Sequence, residues 1–316
     1  MPDHDRCAGP GYDDPMLELQ PLRTLGLARS THTTGRRFIS AASGLVCAFG
    51  RVYVVGDDEH HLAIFDDARR PGRTLRLFEG ELPAQAKERK QSKPDTETLV
   101  LLQADGGQSF LVALGSGSRS NRCRTARVPL SDDGQPRHPA HVIDLQDFYA
   151  PLRSHFAEVN IEGALVCGDE LILLQRGNRG GTASASLHYR LDEAVRFLLG
   201  AGKPPGPPTI RTHALGEVDG TPLSFTDGTA LPDGRWLFTA VAEATDNAVA
   251  DGPCLASAVG LMSAQHELLA MHFLPRREKV EGIAARLHGG HIDLALVTDH
   301  DDPAQPSMLL RGRMEA

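Results

Sequence analysis

The chain has 316 residues, 41% hydrophobic and 23% charged, with a formal net charge of −8. That balance fits a globular chain of one large domain or two ordinary ones, and the negative charge argues against a broad nucleic-acid-binding face. No apolar run approaches the roughly 18 residues that span a bilayer, and residues 1–16 lack the basic and apolar regions of a secretory leader.

Glycine (32) and proline (21) are frequent and helix-period patterns are few, which predicts many short strands with tight turns. The five cysteines are scattered, odd in number and without a CxxC pair. They predict a reducing, cytoplasmic setting, with Cys47 and Cys167 as buried thiols.

Residues 1–15 read as a flexible tail and residues 16–316 as a single domain. Stretches 17–22 and 25–27 predict a strand that precedes the first repeat. Ser43-Gly44 then opens a unit with strands at 44–48, 51–56, 62–65 and 74–78. Residues 81–95, rich in Lys, Arg and Glu, read as a solvated loop. Glu97-Thr98 opens a second unit, with strands at 110–114, 125–130 and 141–145. Glu162-Gly163 opens a third, with strands near 171–176, 187–191 and 209–215 and a short helix near 192–200. Asp227-Gly228 opens a fourth, running through 236–241, 256–262 and 268–273. Glu281-Gly282 opens a fifth, followed by 292–299 and 308–313.

Three units share one grammar, an acid and a tight glycine, a strand, a turn, and a second apolar strand; Glu97-Thr98 opens a weaker copy and Ser43-Gly44 the weakest. Starts at 43, 97, 162, 227 and 281 give five units. Such self-similarity is the signature of a repeat architecture. The last unit lacks a fourth strand, which the N-terminal strand would supply. The reading is an all-β, five-bladed β-propeller closed by that exchange, with six blades as the alternative if one long connection hides a degenerate blade.

In a propeller, equal positions of successive units converge on one axis. Glu97, Glu162, Asp227 and Glu281 would then form an acidic ring at one end of the channel. Crowded carboxylates repel unless protonated or bridged by a cation, and calcium or magnesium suits hard oxygen ligands. Otherwise each acid caps its own turn. The ends of the second strands add Arg119, Arg122, Arg176 and Arg179 from units two and three. Units one, four and five add Asp57, Asp58, Glu243, Asp246, Asp299, Asp301 and Asp302.

These residues predict a rim with one cationic and one anionic side. Arginine beside exposed glycine backbone suits a phosphate or carboxylate, and an opposed carboxylate cluster suits a metal that activates water. The other reading is that the opposite charges pair structurally across the mouth. His300, inside an aspartate cluster, is a candidate base or ligand. Ser116 and Ser118 lie in a Gly-Ser-Gly-Ser turn that no helix follows, unlike a nucleophile elbow. His60, His61, His288 and His291 read as surface residues, and Trp236 as core.

At Glu281-Gly282-Ile283-Ala284 with Thr298-Asp299-His300-Asp301-Asp302, the chain resembles bacterial β-propeller proteins of uncharacterised function. Stretches 113–118 and 225–228 carry the same resemblance. More distantly it is similar to the esterase-like phytases and to the gluconolactonase-like calcium propellers. The resemblance implies a polar channel mouth with a divalent cation, but neither group's full catalytic motif is present, and fold alone does not supply function.

The sequence therefore points to a metal-dependent hydrolase of a small anionic substrate, a phosphoester or lactone. Glu97, Glu162, Asp227 and Glu281 would hold the cation, Arg119, Arg176 and Arg179 the substrate, and Asp299 or His300 the proton. The alternative is a non-catalytic propeller that binds a ligand or protein partner. A glycan-active enzyme would need more aromatic surface than a 5% aromatic content offers.

Overall fold

A computed structural model describes residues 16–67, 69–137, 139–177, 183–244, 252–275 and 278–316. The predicted tail at 1–15, Arg179 and Asp246 lie outside the described residues.

Among the described residues five four-stranded antiparallel sheets form the blades of a propeller. Strand β1 (Leu19–Thr24) comes first. Blade one is β2 (Ala42–Ala48), β3 (Arg51–Gly56), β4 (His61–Phe65) and β5 (Arg73–Arg76). Helix α1 (Ala86–Ser92) leads to blade two: β6 (Thr96–Gln103), β7 (Ser109–Gly115), β8 (Arg124–Pro129) and β9 (His141–Asp144). Helix α2 (Gln146–Tyr149) leads to blade three: β10 (Ile161–Cys167), β11 (Glu170–Gln175), β12 (Ser184–Arg190), helix α3 (Leu191–Leu198) and β13 (Thr209–His213). A small hairpin, β14 (Glu217–Val218) and β15 (Thr221–Pro222), precedes blade four: β16 (Ser224–Ala230), β17 (Trp236–Glu243), β18 (Cys254–Met262) and β19 (Leu268–Phe273). Blade five is β20 (Lys279–His288), β21 (His291–Asp299), β22 (Met308–Glu315) and the N-terminal β1.

The ring closes as the sequence predicts, with Leu19 opposite Gly312 and Thr24 opposite Met308. Inner strands β2, β6, β10, β16 and β20 neighbour one another in turn, and β20 returns to β2. Five blades, not six, complete the circle.

The hydrophobic core is divided into five parts, one in each seam between blades. This explains why the second strand of a blade is apolar on both faces. Leu171 and Leu173 pack toward blade two, whereas the alternating Ile172 and Leu174 pack toward blade four. Strand side chains alternate faces, so a blade buried on both sides reads as a continuous apolar run. Trp236 is fully buried in the seam between blades three and four, as its mid-strand position predicts.

Three local expectations are corrected. Residues 81–95 are not simply a solvated loop, because their charges have internal partners. They contain α1, Arg89 is buried with its guanidinium on the Pro83 and Ala84 carbonyls, and Lys93 pairs with Asp57 and Asp95. His60 is buried and His61 half-buried, since blade one packs on both faces, whereas His288 and His291 are exposed. Cys47 is exposed and Cys167 half-buried, because each lies near the end of its inner strand, where Cys167 packs at the edge of the seam between blades three and four.

Candidate functional site at the channel mouth

The site is built from one backbone device used five times. Each inner strand breaks register with its partner once, between Ala42 and Gly44, Thr96 and Thr98, Ile161 and Gly163, Phe225 and Asp227, and Val280 and Gly282. A β-bulge leaves one residue out of the ladder and re-aims its side chain. Those residues are Ser43, Glu97, Glu162, Thr226 and Glu281. Four of the five line a cavity of about 140 Å³ at the channel mouth. In the fifth, Thr226 Oγ1 lies 2.8 Å from the Val280 carbonyl, as Ser43 Oγ lies 2.6 Å from that of Thr96.

The residue after the bulge touches the next blade. A Cβ on Gly44 would stand 2.6 Å from the Leu99 nitrogen, and one on Gly163 would stand 2.8 Å from the Asp227 Cα. The glycines permit this close approach of two backbones. Asp227 occupies the corresponding glycine position of blade four. It does not line the cavity: its carboxylate is buried and accepts the Ile283 N–H at 3.0 Å. The predicted acidic ring therefore contains Glu97, Glu162 and Glu281, with Thr226 in the place assigned to Asp227.

A second layer lies two residues before each bulge, where Ala41, Asp95, Asn160 and Lys279 also line the cavity. Together nine carboxyl side chains face six cationic ones. Three hubs tie them. Arg176 donates to Glu162 (3.4 Å) and Glu243. Lys279 reaches Glu243 (2.9 Å), Glu281 (3.2 Å) and Asp301 (2.9 Å). Lys93 bridges Asp57 and Asp95, and Arg122 reaches Asp95 at 2.7 Å. Ser116 donates to Asp95 at 2.6 Å and is fully buried, so it is a support for that carboxylate and not an exposed nucleophile.

Six cations do not neutralise nine acids. Burial pushes the Glu162 carboxyl up to about 8, against the pull of Arg176. Burial, then the neighbouring Glu162, hold Glu97 well above the carboxylate range. Burial also raises Asp57, Glu281 and Asp299. For Lys279 burial acts the other way, but Glu281 and Glu243 outweigh it and hold the ammonium charged. Glu97 is half-buried, has no hydrogen bond or ion pair among the described residues, and is open to the cavity. Its carboxyl, with those of Asp57 and Asp95, offers oxygens that all lie within 4.8 Å of one another.

Arg119, Arg122 and Arg176 line the cavity together with Asp57, Glu243, Asp299 and Asp301, and opposite charges are interleaved, with Arg176 on Glu243 and Lys279 on Glu243 and Asp301. His300 is exposed and outside the cavity; it lies with Asp299, Asp301 and Lys279 on a separate, more open cleft, with Nε2 3.4 Å from Thr298 Oγ1. Asp58 turns away to Arg36 (3.0 Å), and exposed Asp302 accepts the Ala304 N–H. Sequence reasoning missed Ser43, Lys90, Lys93, Asp95, Glu158 and Asn160. A signal was present, because Asp95, Asn160 and Lys279 each stand two residues before an acid of the ring.

No curated protein matches the chain. Its structure is similar to a luciferin-regenerating enzyme, at 10% identity over 94% of this chain and 95% of that one, with a TM-score of 0.49. It is similar to a glycosyl hydrolase from Bacteroides ovatus (10% identity, 98% and 96% covered, TM-score 0.48). An exo-1,5-alpha-L-arabinanase from a bovine ruminal metagenomic library gives 10% identity, 90% and 96% covered, and a TM-score of 0.44. Likeness at this distance carries no argument about activity. Residues 38–314 match the family of unknown function DUF6929, and the chain belongs to that family.

Proposed function

We propose that the channel mouth is the active site of a hydrolase that acts on a small anionic substrate with a divalent cation. The observation that carries the reading is the trio Asp57, Asp95 and Glu97 inside a cavity with more acids than bases. Its donors are hard oxygens, which fit calcium or magnesium. The Lys93 ammonium already lies against Asp57 and Asp95 and would have to turn aside. When bound, the ion would polarise a substrate oxygen or a water.

The chain's own residues supply the rest. Exposed Arg119 at the mouth holds the anionic group of the substrate, and Arg176 keeps Glu162 and Glu243 in place. With its carboxyl raised to about 8, Glu162 carries a proton at neutral pH and is placed to give it to a leaving group. Asp299, also raised and facing the cavity, is the second candidate for that step. His300 and Asp227 have no part in it. The small cavity volume favours a small substrate over a chain.

A second reading is a ligand-binding propeller without catalysis. It is favoured by the ion pairs that already engage Arg176, Lys279, Lys93 and Arg122. The test is turnover of a panel of phosphoesters and lactones with calcium, magnesium, manganese or chelator. Ion-dependent turnover lost in Glu97→Gln supports the hydrolase; binding of an ion or small anion without turnover supports the second reading.

A further inference from the structure

Blades three and four share a second polar cluster, built from residues that do not line the mouth cavity. The Trp236 indole N–H donates to His266 Nδ1 at 3.1 Å. An indole only donates, so Nδ1 is an acceptor and the ring proton sits on Nε2, which lies 3.5 Å from Glu170 Oε2. The same oxygen lies 2.9 Å from His188 Nδ1. The carboxylate accepts, so His188 carries its proton on Nδ1 and accepts at Nε2 from Ser186 Oγ, at 2.8 Å. That uses the one hydroxyl proton. His213 Nε2, also 2.8 Å from Ser186 Oγ, must therefore be a donor. With all three imidazoles neutral, this is the one arrangement of protons along the chain that the heavy-atom geometry allows.

Two sharper readings fail on this geometry. Glu170, His188 and His266 offer atoms close enough for a metal ion. A metal would need the Nε2 lone pair of His266, but Trp236 engages the other nitrogen and leaves the proton on Nε2. Glu170, His188 and Ser186 also have the spacing of a carboxylate–histidine–serine triad. Yet Ser186 is fully buried and its oxygen is already engaged by His213, so no substrate reaches it.

We propose that this chain of hydrogen bonds is an acid-sensitive latch between blades three and four, closed while its imidazoles are neutral and opened by protonation. Strands β11, β12 and β13 bring Glu170, Ser186, His188 and His213; blade four brings Trp236 and His266. Among the described residues the charged groups facing the imidazoles are Glu170 from β11 and Arg211 from β13. A proton on His266 Nδ1 would meet the Trp236 N–H, and a proton on His188 Nε2 would force Ser186 to turn, whereas His213 would take its proton on Nδ1, the nitrogen that does not face Ser186. Burial acts in the same direction and holds all three histidines low, His213 at about 4. Groups lowered in the fold bind fewer protons there than in the unfolded chain. Their contribution is whole above about pH 6.5 and is lost as the pH falls toward the folded values.

The test is nitrogen NMR of the histidine rings in the full chain at about pH 7.5, followed by titration to about pH 5. The latch requires N–H on Nε2 of His266, Nδ1 of His188 and Nε2 of His213, and loss of amide protection in β12 and β17 before β3 as the pH falls. Trp236→Phe should raise the His266 midpoint by about one unit, a tenfold gain in proton affinity, and leave His213 in place. An Nδ1–H on His266, three midpoints near the ordinary value, uniform loss of protection, or stoichiometric capture of added zinc ion by His266 would each overturn it. The tautomer assignment needs no variant, so a misfolded Trp236→Phe leaves the test decisive.

Discussion

Replacing Arg176 by methionine tests whether the charged cavity is the structural hub of the ring. The buried guanidinium joins Glu162 of blade three to Glu243 of blade four. After Arg176→Met, Lys279 still holds Glu243 at 2.9 Å, but among the described residues Glu162 keeps only the amide of Asn160. Removing one partner of a buried pair costs about 3–5 kcal/mol, and the surviving Lys279 contact points to the lower end. A chain of 316 residues loses about 0.7 kcal/mol per kelvin near its midpoint, so Tm should fall by about 4–8 °C. Thermal unfolding followed by circular dichroism should show the fall near neutral pH, little changed at about pH 5, and a larger one above about pH 8, where Glu162 would lose its proton beside Arg176 but has no guanidinium beside it in the variant. Adding Glu162→Gln should restore at least part of the loss. A fall below about 1 °C, or a larger one in acid, would refute the reasoning.

Further outcomes follow from the same geometry. Glu97→Gln removes a carboxyl that has no hydrogen bond or ion pair among the described residues, so it should raise Tm in chelator and abolish any rise that calcium or magnesium gives the wild type. Gly163→Ala places a Cβ 2.8 Å from the Asp227 backbone and should cost about 1–3 kcal/mol in denaturant unfolding, whereas Gly206→Ala, with nothing within 4 Å, should be close to neutral. Glu162, raised to about 8, binds more protons folded than unfolded. Its contribution is therefore whole below about pH 4 and is lost as the pH rises through about 8, so wild type in chelator should weaken over that range more steeply than Glu162→Gln, in which the other raised carboxyls remain. An equal slope in both proteins would count against the assignment.

The propeller was legible in the sequence because its five units share a boundary grammar and each second strand is apolar on both faces. Leu171 to Leu174 serve two cores at once, and that pattern survives without any alignment. The ring was legible to within one residue. Asp227-Gly228 imitates Glu162-Gly163 in text, but the bulge of blade four falls at Thr226, and a slip of one position moves a side chain to the other face. Lys93 and Asp95 were hidden for a different reason. Composition marks 81–95 as solvated, and only the fold brings that segment to the Asp57 corner of blade one. His300 read as part of an acidic cluster, and it does share an open cleft with Asp299 and Asp301, but those two also line the cavity and His300 does not.

Calorimetric titration of chelator-stripped protein with calcium, magnesium and manganese, on wild type and Glu97→Gln, bears most directly on the channel mouth. The account expects one ion per wild-type chain and none in the variant. Heat from no ion, with Tm unchanged by each of them, would leave the carboxylates of Asp57 and Asp95 as structural partners of Lys93 and Arg122 and would contradict the proposed site.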